Sequence, residues 1–347
     1  MTPKRIAAQD HLLNNNDLLV ITGAGGFIGG NLVRYFRSKG FTRIRAADKK
    51  QLHDWYLRLP GVENVCLDVS NEANCNAVCR GAVEVYNLAA DMGGMGFIER
   101  FRVECLRSIL INTHMLEAAH RAGVRRYFFS SSACVYNTLL QKDPHVRALK
   151  ESDAYPAMAE RGYGWEKLIG EMFCEEYWRE RGLKTFVARF HNVYGPFGTW
   201  DGGREKAPAA ICRKVIEAID SATDKIAIWG DGRQTRSFMY IDDCLEGIDL
   251  IMHCDDLIAT PINLGSSEMV SIDELVNKVE KIGGVTLERE YDLNAPQGVA
   301  GRNSDNTFIK ATLKWEPNTS LDDGLAVTYN WIREQYYERT RGARVVE

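Results

Sequence analysis

A short apolar run at residues 18–22 is followed directly by Gly23-Ala24-Gly25-Gly26-Phe27-Ile28-Gly29, and then by a segment of helical character at 30–39. No other feature of the 347-residue chain constrains its fold as strongly. Glycines at 23, 26 and 29 permit a tight turn, close approach of the backbone to a pyrophosphate, and tight packing of helix on strand. The helix start favours the phosphate charge, and Phe27 and Ile28, in the turn before it, are read as cofactor contacts. A glycine triplet alone is weak evidence. Here a strand precedes it, a helix follows, and a second strand at 44–47 ends in Asp48, which makes the stretch a dinucleotide-binding fingerprint. A carboxylate at that place accepts from both ribose hydroxyls and repels a 2′-phosphate, so NAD is favoured over NADP, with the adjacent Lys49 and Lys50 pulling the other way.

Strand and helix go on alternating. A third strand at 64–67 ends in Asp68, where an adenine amino group can be received, and a helix at 72–80 leads to a fourth strand at 83–88. Ala89, Ala90 and Asp91 close that strand after Leu88, with residues small enough for a cofactor to lie flat against the backbone. A flexible glycine loop is expected at 92–97, a helix at 99–122, a fifth strand at 125–130, a helix at 163–181 and a strand at 184–189. The fold class expected is α/β, a Rossmann doubly wound parallel sheet with a smaller α/β substrate-binding lobe. The cofactor domain would span 18–190 with 237–263 returning to it, and the second lobe 191–236 and 264–347. Residues 1–17 read as a loose leader, basic but without the apolar core of a secretory signal.

Three stretches rich in glycine and polar residues, 191–208, 229–238 and 301–306, read as functional loops. Lys214, Arg236 and Arg302 can together hold a diphosphate. A net charge of −4 leaves no electrostatic footprint for nucleic acid, and no run of about twenty apolar residues suggests a membrane span. The nine cysteines are odd in number and form no CxxC framework, which points to a reducing, cytoplasmic compartment. Cys75 and Cys79 sit one helical turn apart, but no second pair or nearby histidine completes a metal site.

The reacting centre is expected at Ser131-Ser132-Ala133-Cys134-Val135-Tyr136. Ligands of open α/β sheets bind just beyond the carboxyl ends of the strands, which sets Ser132 and Cys134 toward the crevice. Tyr163 and Lys167, four residues apart, share one helix face. An ammonium beside a phenol favours the phenolate and turns a group that titrates near pH ~10 into a usable base.

Taken together, Gly23, Gly26 and Gly29, Asp48, Asn87-Leu88-Ala89-Ala90, Ser132, and Tyr163 with Lys167 resemble the extended short-chain dehydrogenase/reductase family over nearly the whole chain. Members of that family typically act on nucleotide sugars. Longer runs, among them Asp91-Met92-Gly93-Gly94-Met95-Gly96-Phe97, Asn192-Val193-Tyr194-Gly195-Pro196-Phe197-Gly198-Thr199-Trp200, Gly202-Gly203-Arg204-Glu205-Lys206-Ala207-Pro208 and Gln234-Thr235-Arg236-Ser237-Phe238, are similar to its GDP-mannose 3,5-epimerase branch. The resemblance implies a bound NAD, a GDP-sugar substrate and a homodimer. It implies that Tyr163 and Lys167 serve hydride transfer, that Ser132 holds the sugar hydroxyl, and that Cys134 and Lys206 are the acid/base pair that moves ring protons. Gly93, Ala133, Asn192, Glu205, Ala207, Lys214, Gln234, Thr235, Arg236 and Arg302 become substrate contacts, and Asp48 and Asp68 hold the adenosine half of NAD. Asn137, Gly162 and Trp165 depart from the family's wording, and residues 1–17 carry none of it. Two alternatives stay open at this point. A nucleotide-sugar 4-epimerase needs only Tyr163, Lys167 and free rotation of the keto-sugar, and a catalytically silent NAD-binding scaffold would keep the fold without turnover.

Overall fold

All four residues of the first strand are buried, and they alternate in destination: Leu19 and Ile21 enter one hydrophobic core, Val20 another. A strand buried on both faces belongs to a parallel sheet sandwiched between helices. The computed structural model, which describes residues 13–344, has that architecture.

In chain order the elements begin β1 (Leu19–Thr22), α1 (Phe27–Ser38), β2 (Ile44–Asp48), β3 (Glu63–Cys66), α2 (Glu72–Cys79), β4 (Glu84–Asn87), α3 (Met95–Arg100) and α4 (Arg102–Arg121). They continue with β5 (Arg126–Ser132), α5 (Tyr163–Arg181), β6 (Lys184–Phe190), β7 (Val193–Tyr194), α6 (Ala207–Asp220), β8 (Lys225–Trp229), β9 (Thr235–Ser237), β10 (Met239–Tyr240) and α7 (Ile241–Met252). The last are β11 (Pro261–Leu264), β12 (Met269–Ser271), α8 (Ile272–Gly283), β13 (Glu288–Asp292), β14 (Gly301–Arg302), α9 (Thr307–Leu313) and α10 (Leu321–Arg344). The main sheet has seven strands in the order β3-β2-β1-β4-β5-β6-β11, parallel throughout. Its strand order reverses beside β1, the point at which doubly wound sheets bind dinucleotides.

The same alternation places the rings of β5. Phe128 packs on the α1 and α7 side, and Tyr127 and Phe129 pack on the α2, α4 and α5 side. The first of these cores does not stop at the sheet. It runs on through Ile211 and Val215 of α6, Leu275 and Val279 of α8, and Leu325 and Tyr329 of α10, so one continuous apolar body fixes the small sheets against the large one. Between β6 and α5, Arg189 and Glu171 form a buried two-point ion pair, Nε to Oε1 at 2.9 Å and Nη2 to Oε2 at 2.7 Å.

Several expected elements differ. The helix expected at 99–122 is two helices, α3 and α4, broken at Phe101 (φ −118°, ψ 52°), whose ring stacks on Phe97 at 4.9 Å. The stretch expected as a glycine loop at 92–97 therefore ends in helix, and it is docked: Gly94 N–H donates to the Arg204 carbonyl at 3.0 Å. Helix α1 starts at Phe27, immediately after the glycine turn, instead of at residue 30. The expected polar loops 229–238 and 301–306 contain β9 and β14, which pair in parallel with Arg302 opposite Arg236. Of the expected leader, residues 1–12 lie outside the described residues, while Leu13 packs on the core and Asp17 pairs with Arg125 at 3.3 Å. No helix among the described residues is long and apolar enough to cross a membrane.

Candidate active site

At the carboxyl ends of β5 and β6 lies a cavity of about 530 Å³, closed by α3, by the start of α6 and by the β9–β14 pair. Ser132 is the last residue of β5, and its hydroxyl accepts from the Cys134 N–H at 3.2 Å. That bond caps the 3₁₀ turn Ala133–Val135 and carries Cys134 into the cavity wall. Tyr163 opens α5 after Gly162, whose φ of 80° is a left-handed value that a side chain would strain. A Cβ at Gly164 would lie 2.2 Å from the Cys134 carbonyl oxygen, so this glycine lets α5 press Tyr163 against the turn. Asn137, another of the three departures, caps the 3₁₀ turn Thr138–Gln141 by accepting from Leu139 N–H at 2.9 Å.

Ser132, Ala133, Cys134 and Tyr163 share this cavity with Gly93 and Asn192. From α6 and its entry come Glu205, Lys206, Ala207 and Lys214, and from the small sheet Gln234, Arg236 and Arg302. Thr235 is not in the lining: its hydroxyl donates to the Pro144 carbonyl, on the far side of β9 from Gln234 and Arg236. Lys167 also stands behind the wall. Its side chain is sealed at 2% exposure, with Nζ 3.5 Å from Glu166 Oε2, 4.8 Å from the Phe129 ring centre and 5.5 Å from that of Tyr163.

The electrostatics correct one expectation. Tyr163 was expected to be acidified by Lys167, yet burial pushes its phenol well above the usual value, the proximity of Cys134 and Glu166 adds to that, and the Ser132 hydrogen bond only partly opposes it. Burial also raises the Cys134 thiol, with Glu160 adding to the rise and Arg302 opposing it. Lys206 moves the other way, because burial disfavours its ammonium. Lys206 thus moves toward neutrality and Cys134 away from it, shifts that favour an uncharged amine able to accept a proton beside a protonated thiol able to give one. Arg236 is pushed down to about 10 by burial and by the neighbouring Arg302. Gln234 leaves its Oε1 buried and without a partner at the cavity, and Lys214 Nζ donates to the Ala227 carbonyl at 2.6 Å.

Glu160 was missed in the sequence. It lines the cavity and pairs with Arg302, 142 residues away. The one local signal was a carboxylate three residues ahead of Tyr163.

The glycine turn fits a dinucleotide. Gly23 has a φ of 71°, a Cβ there would lie 2.8 Å from the Leu88 carbonyl, and one at Gly29 would lie 2.3 Å from the Gly23 oxygen. Gly26 caps α1 without a side chain and the first turn holds no acidic residue, so the amides of Phe27 and Ile28 face an anion unopposed. Asp48 Oδ2 accepts from Gly25 N–H at 3.0 Å, which ties the end of β2 to the turn. Burial raises the Asp68 carboxyl, but hydrogen bonds from Ser70 outweigh it and hold the group below its usual range. Ala90 follows β4 at the same edge, half-buried.

Comparison with known proteins bears on this site. Residues 19–265 match the model of the NAD dependent epimerase/dehydratase family. The chain is 46% identical over 330 residues to GDP-mannose 3,5-epimerase 1 of Oryza sativa subsp. japonica, covering 94% of this chain and 84% of that one. It is 42% identical over 349 residues to GDP-mannose 3,5-epimerase of Arabidopsis thaliana, covering 99% and 90%. Its fold is similar to that of UDP-glucose 4-epimerase from Thermotoga maritima, with a TM-score of 0.80 at 23% identity over 92% of this chain and 99% of that one. Matched over well over half its length, and nearly half identical to a relative across almost all of it, the chain belongs to the NAD dependent epimerase/dehydratase family.

Proposed function

We propose that the protein converts GDP-mannose to GDP-L-galactose and GDP-L-gulose by inverting C3 and C5 of the sugar. The observation that carries this reading is the second ionisable pair: Cys134 and Lys206 line the same cavity as Tyr163. A 4-epimerase has no use for them.

Protons on C3 and C5 of a pyranose are not acidic enough for a side chain to remove. Once C4 is a ketone, both carbons lie α to a carbonyl and the carbanion is stabilised as an enolate. The glycine turn with Asp48, Asp68, Leu88 and Ala90 would hold NAD, which would supply the hydride acceptor and donor for C4. Tyr163 takes the proton of the C4 hydroxyl, Ser132 orients the same oxygen, and Lys167 stands behind them as the nearest cation. Cys134, raised, delivers a proton to one face of the ring, and Lys206, lowered, removes one from the other. Lys214, Arg236 and Arg302 hold the diphosphate, and Gly93, Ala133, Asn192, Glu205, Ala207 and Gln234 shape the rest of the pocket.

Residues 18–190 with 237–263 form the cofactor lobe, and 191–236 with 264–347 the substrate lobe. The working form is a homodimer. Val103, Leu106 and Leu110 on α4 are exposed at helical spacing beside Trp165 and Met172 on α5, an apolar face suited to a second copy. Light scattering should give twice the chain mass; the mass of a single chain would remove this assembly. All nine cysteines are free, which suits the reducing cytoplasm.

The test is incubation with GDP-mannose in heavy water, with deuterium read at each sugar carbon by NMR. Label at both C3 and C5 is expected. Binding of NAD with no label at either carbon would end this substrate assignment and leave 4-epimerisation or silent binding.

A further inference from the structure

Charge reaches Cys134 from several elements. Arg302 of β14 donates from Nη1 to Sγ at 3.5 Å, and Lys206 at the start of α6 and Arg236 of β9 add two further cations. Tyr163 of α5 and Cys105 of α4 pack in the same cluster as the thiol. By count of charges this is a setting for a thiolate. The thiol is nevertheless pushed up, by burial first, with Glu160 the largest charge effect acting in that direction.

Glu160 is fastened to Cys134 in two ways. Its backbone N–H donates to the Cys134 carbonyl at 3.0 Å. Its carboxylate pairs with Nη2 of Arg302, while Nε of the same guanidinium donates to Gln141 Oε1 at 2.7 Å. Glu160, Arg302 and Cys134 therefore close a ring, with side chains 11% and 7% exposed on the two charged members. At such burial a charge acts at lower effective dielectric and is felt strongly by its neighbours. Glu160 both fixes the guanidinium against the thiol and cancels much of its field there.

We propose that Glu160 is the positioning residue for Cys134, clamping Arg302 across the thiol and keeping it in the protonated, proton-donating form between turnovers. The proposal rests on the reading of Cys134 as a proton-transfer group. A thiolate stabilised by Arg302 alone could remove a ring proton but would arrive with none to deliver. The carboxylate restores the donor without costing Arg302 its place.

The experiment follows iodoacetamide alkylation of the Cys134 peptide by mass spectrometry, across a pH range spanning the reference thiol value of about 8.5. Reading peptide by peptide keeps the other cysteines out of the measurement. Glu160→Gln keeps a hydrogen-bond partner for Arg302 but removes the charge, and should lower the alkylation midpoint by roughly one to two pH units. Glu160→Ala should move it in the same direction, and Glu160→Asp should return it toward the parent. A midpoint unmoved in both charge-removing variants overturns the proposal, and so does faster alkylation at every pH with no change of midpoint, the mark of a merely structural role. Failure of the underlying reading looks different: Cys134→Ala would form inverted product at the parental rate.

Discussion

Tyr163→Phe is expected to lower deuterium entry at C3 and at C5 together, by roughly 100- to 10,000-fold, the span typical of a lost general acid/base. The ring is buried at 6% exposure among Phe97, Ile98, Cys105 and Cys134, and phenylalanine keeps every one of those contacts. What is lost is the hydroxyl and its bond to Ser132, whose oxygen still accepts from the Cys134 N–H. Melting should therefore shift little while turnover collapses, and retained NAD binding would exclude loss of the cofactor as the cause. The joint fall at two carbons is the diagnostic part. Neither proton is acidic before C4 is oxidised, so a residue that acts only at C4 must silence both. Exchange persisting at C5 in the Phe variant would break the oxidation-first order.

How much of this was legible in the sequence depended on distance along the chain. The strand, the glycine turn, the helix and Asp48 form one local unit, and the structure repeats it with α1 starting three residues early. Tyr163 and Lys167 were visible as an i, i+4 pair, but the burial that sets their electrostatics was not: Glu166, adjacent to Lys167, draws its ammonium to 3.5 Å. Thr235 shows what a misread element costs. Read as loop, 234–236 offered three contacts; with Thr235–Ser237 as strand β9 the side chains must alternate, so Arg236 enters the cavity alongside Gln234, just ahead of the strand, and Thr235 turns to Pro144. The strands that place Arg236 and Arg302 side by side are three and two residues long, too short for any periodic signal, and their register comes from packing on β12 and the core. Glu160 and Arg302 meet only because that register exists.

Removing one member of the proton-transfer pair should have the second large effect, and its signature separates the proposed reaction from 4-epimerisation. Lys206→Met keeps the length and the apolar stem of a half-buried side chain and deletes its ammonium; Cys134→Ala deletes the thiol from a turn held by Ser132. In either variant Tyr163, Ser132 and the glycine turn are untouched, so C4 is still oxidised and the ring protons still become acidic. Inversion, however, needs removal on one face and delivery on the other. With a single group left, a proton it removes can return only from the same side. The expected result is product formation down by roughly 100- to 10,000-fold in both, with deuterium appearing in recovered GDP-mannose of unchanged configuration only where the proton-removing group is kept. For Cys134→Ala, the group left is Lys206, whose lowered value makes it the competent base, so exchange persists; for Lys206→Met, the thiol left lies on the face away from the ring protons of GDP-mannose, so no exchange is expected. A 4-epimerase would be indifferent to both substitutions. Parental turnover in both variants would therefore sink the double-inversion mechanism, while label without inversion in Cys134→Ala and no label in Lys206→Met would tie the two side chains to opposite faces of one sugar ring.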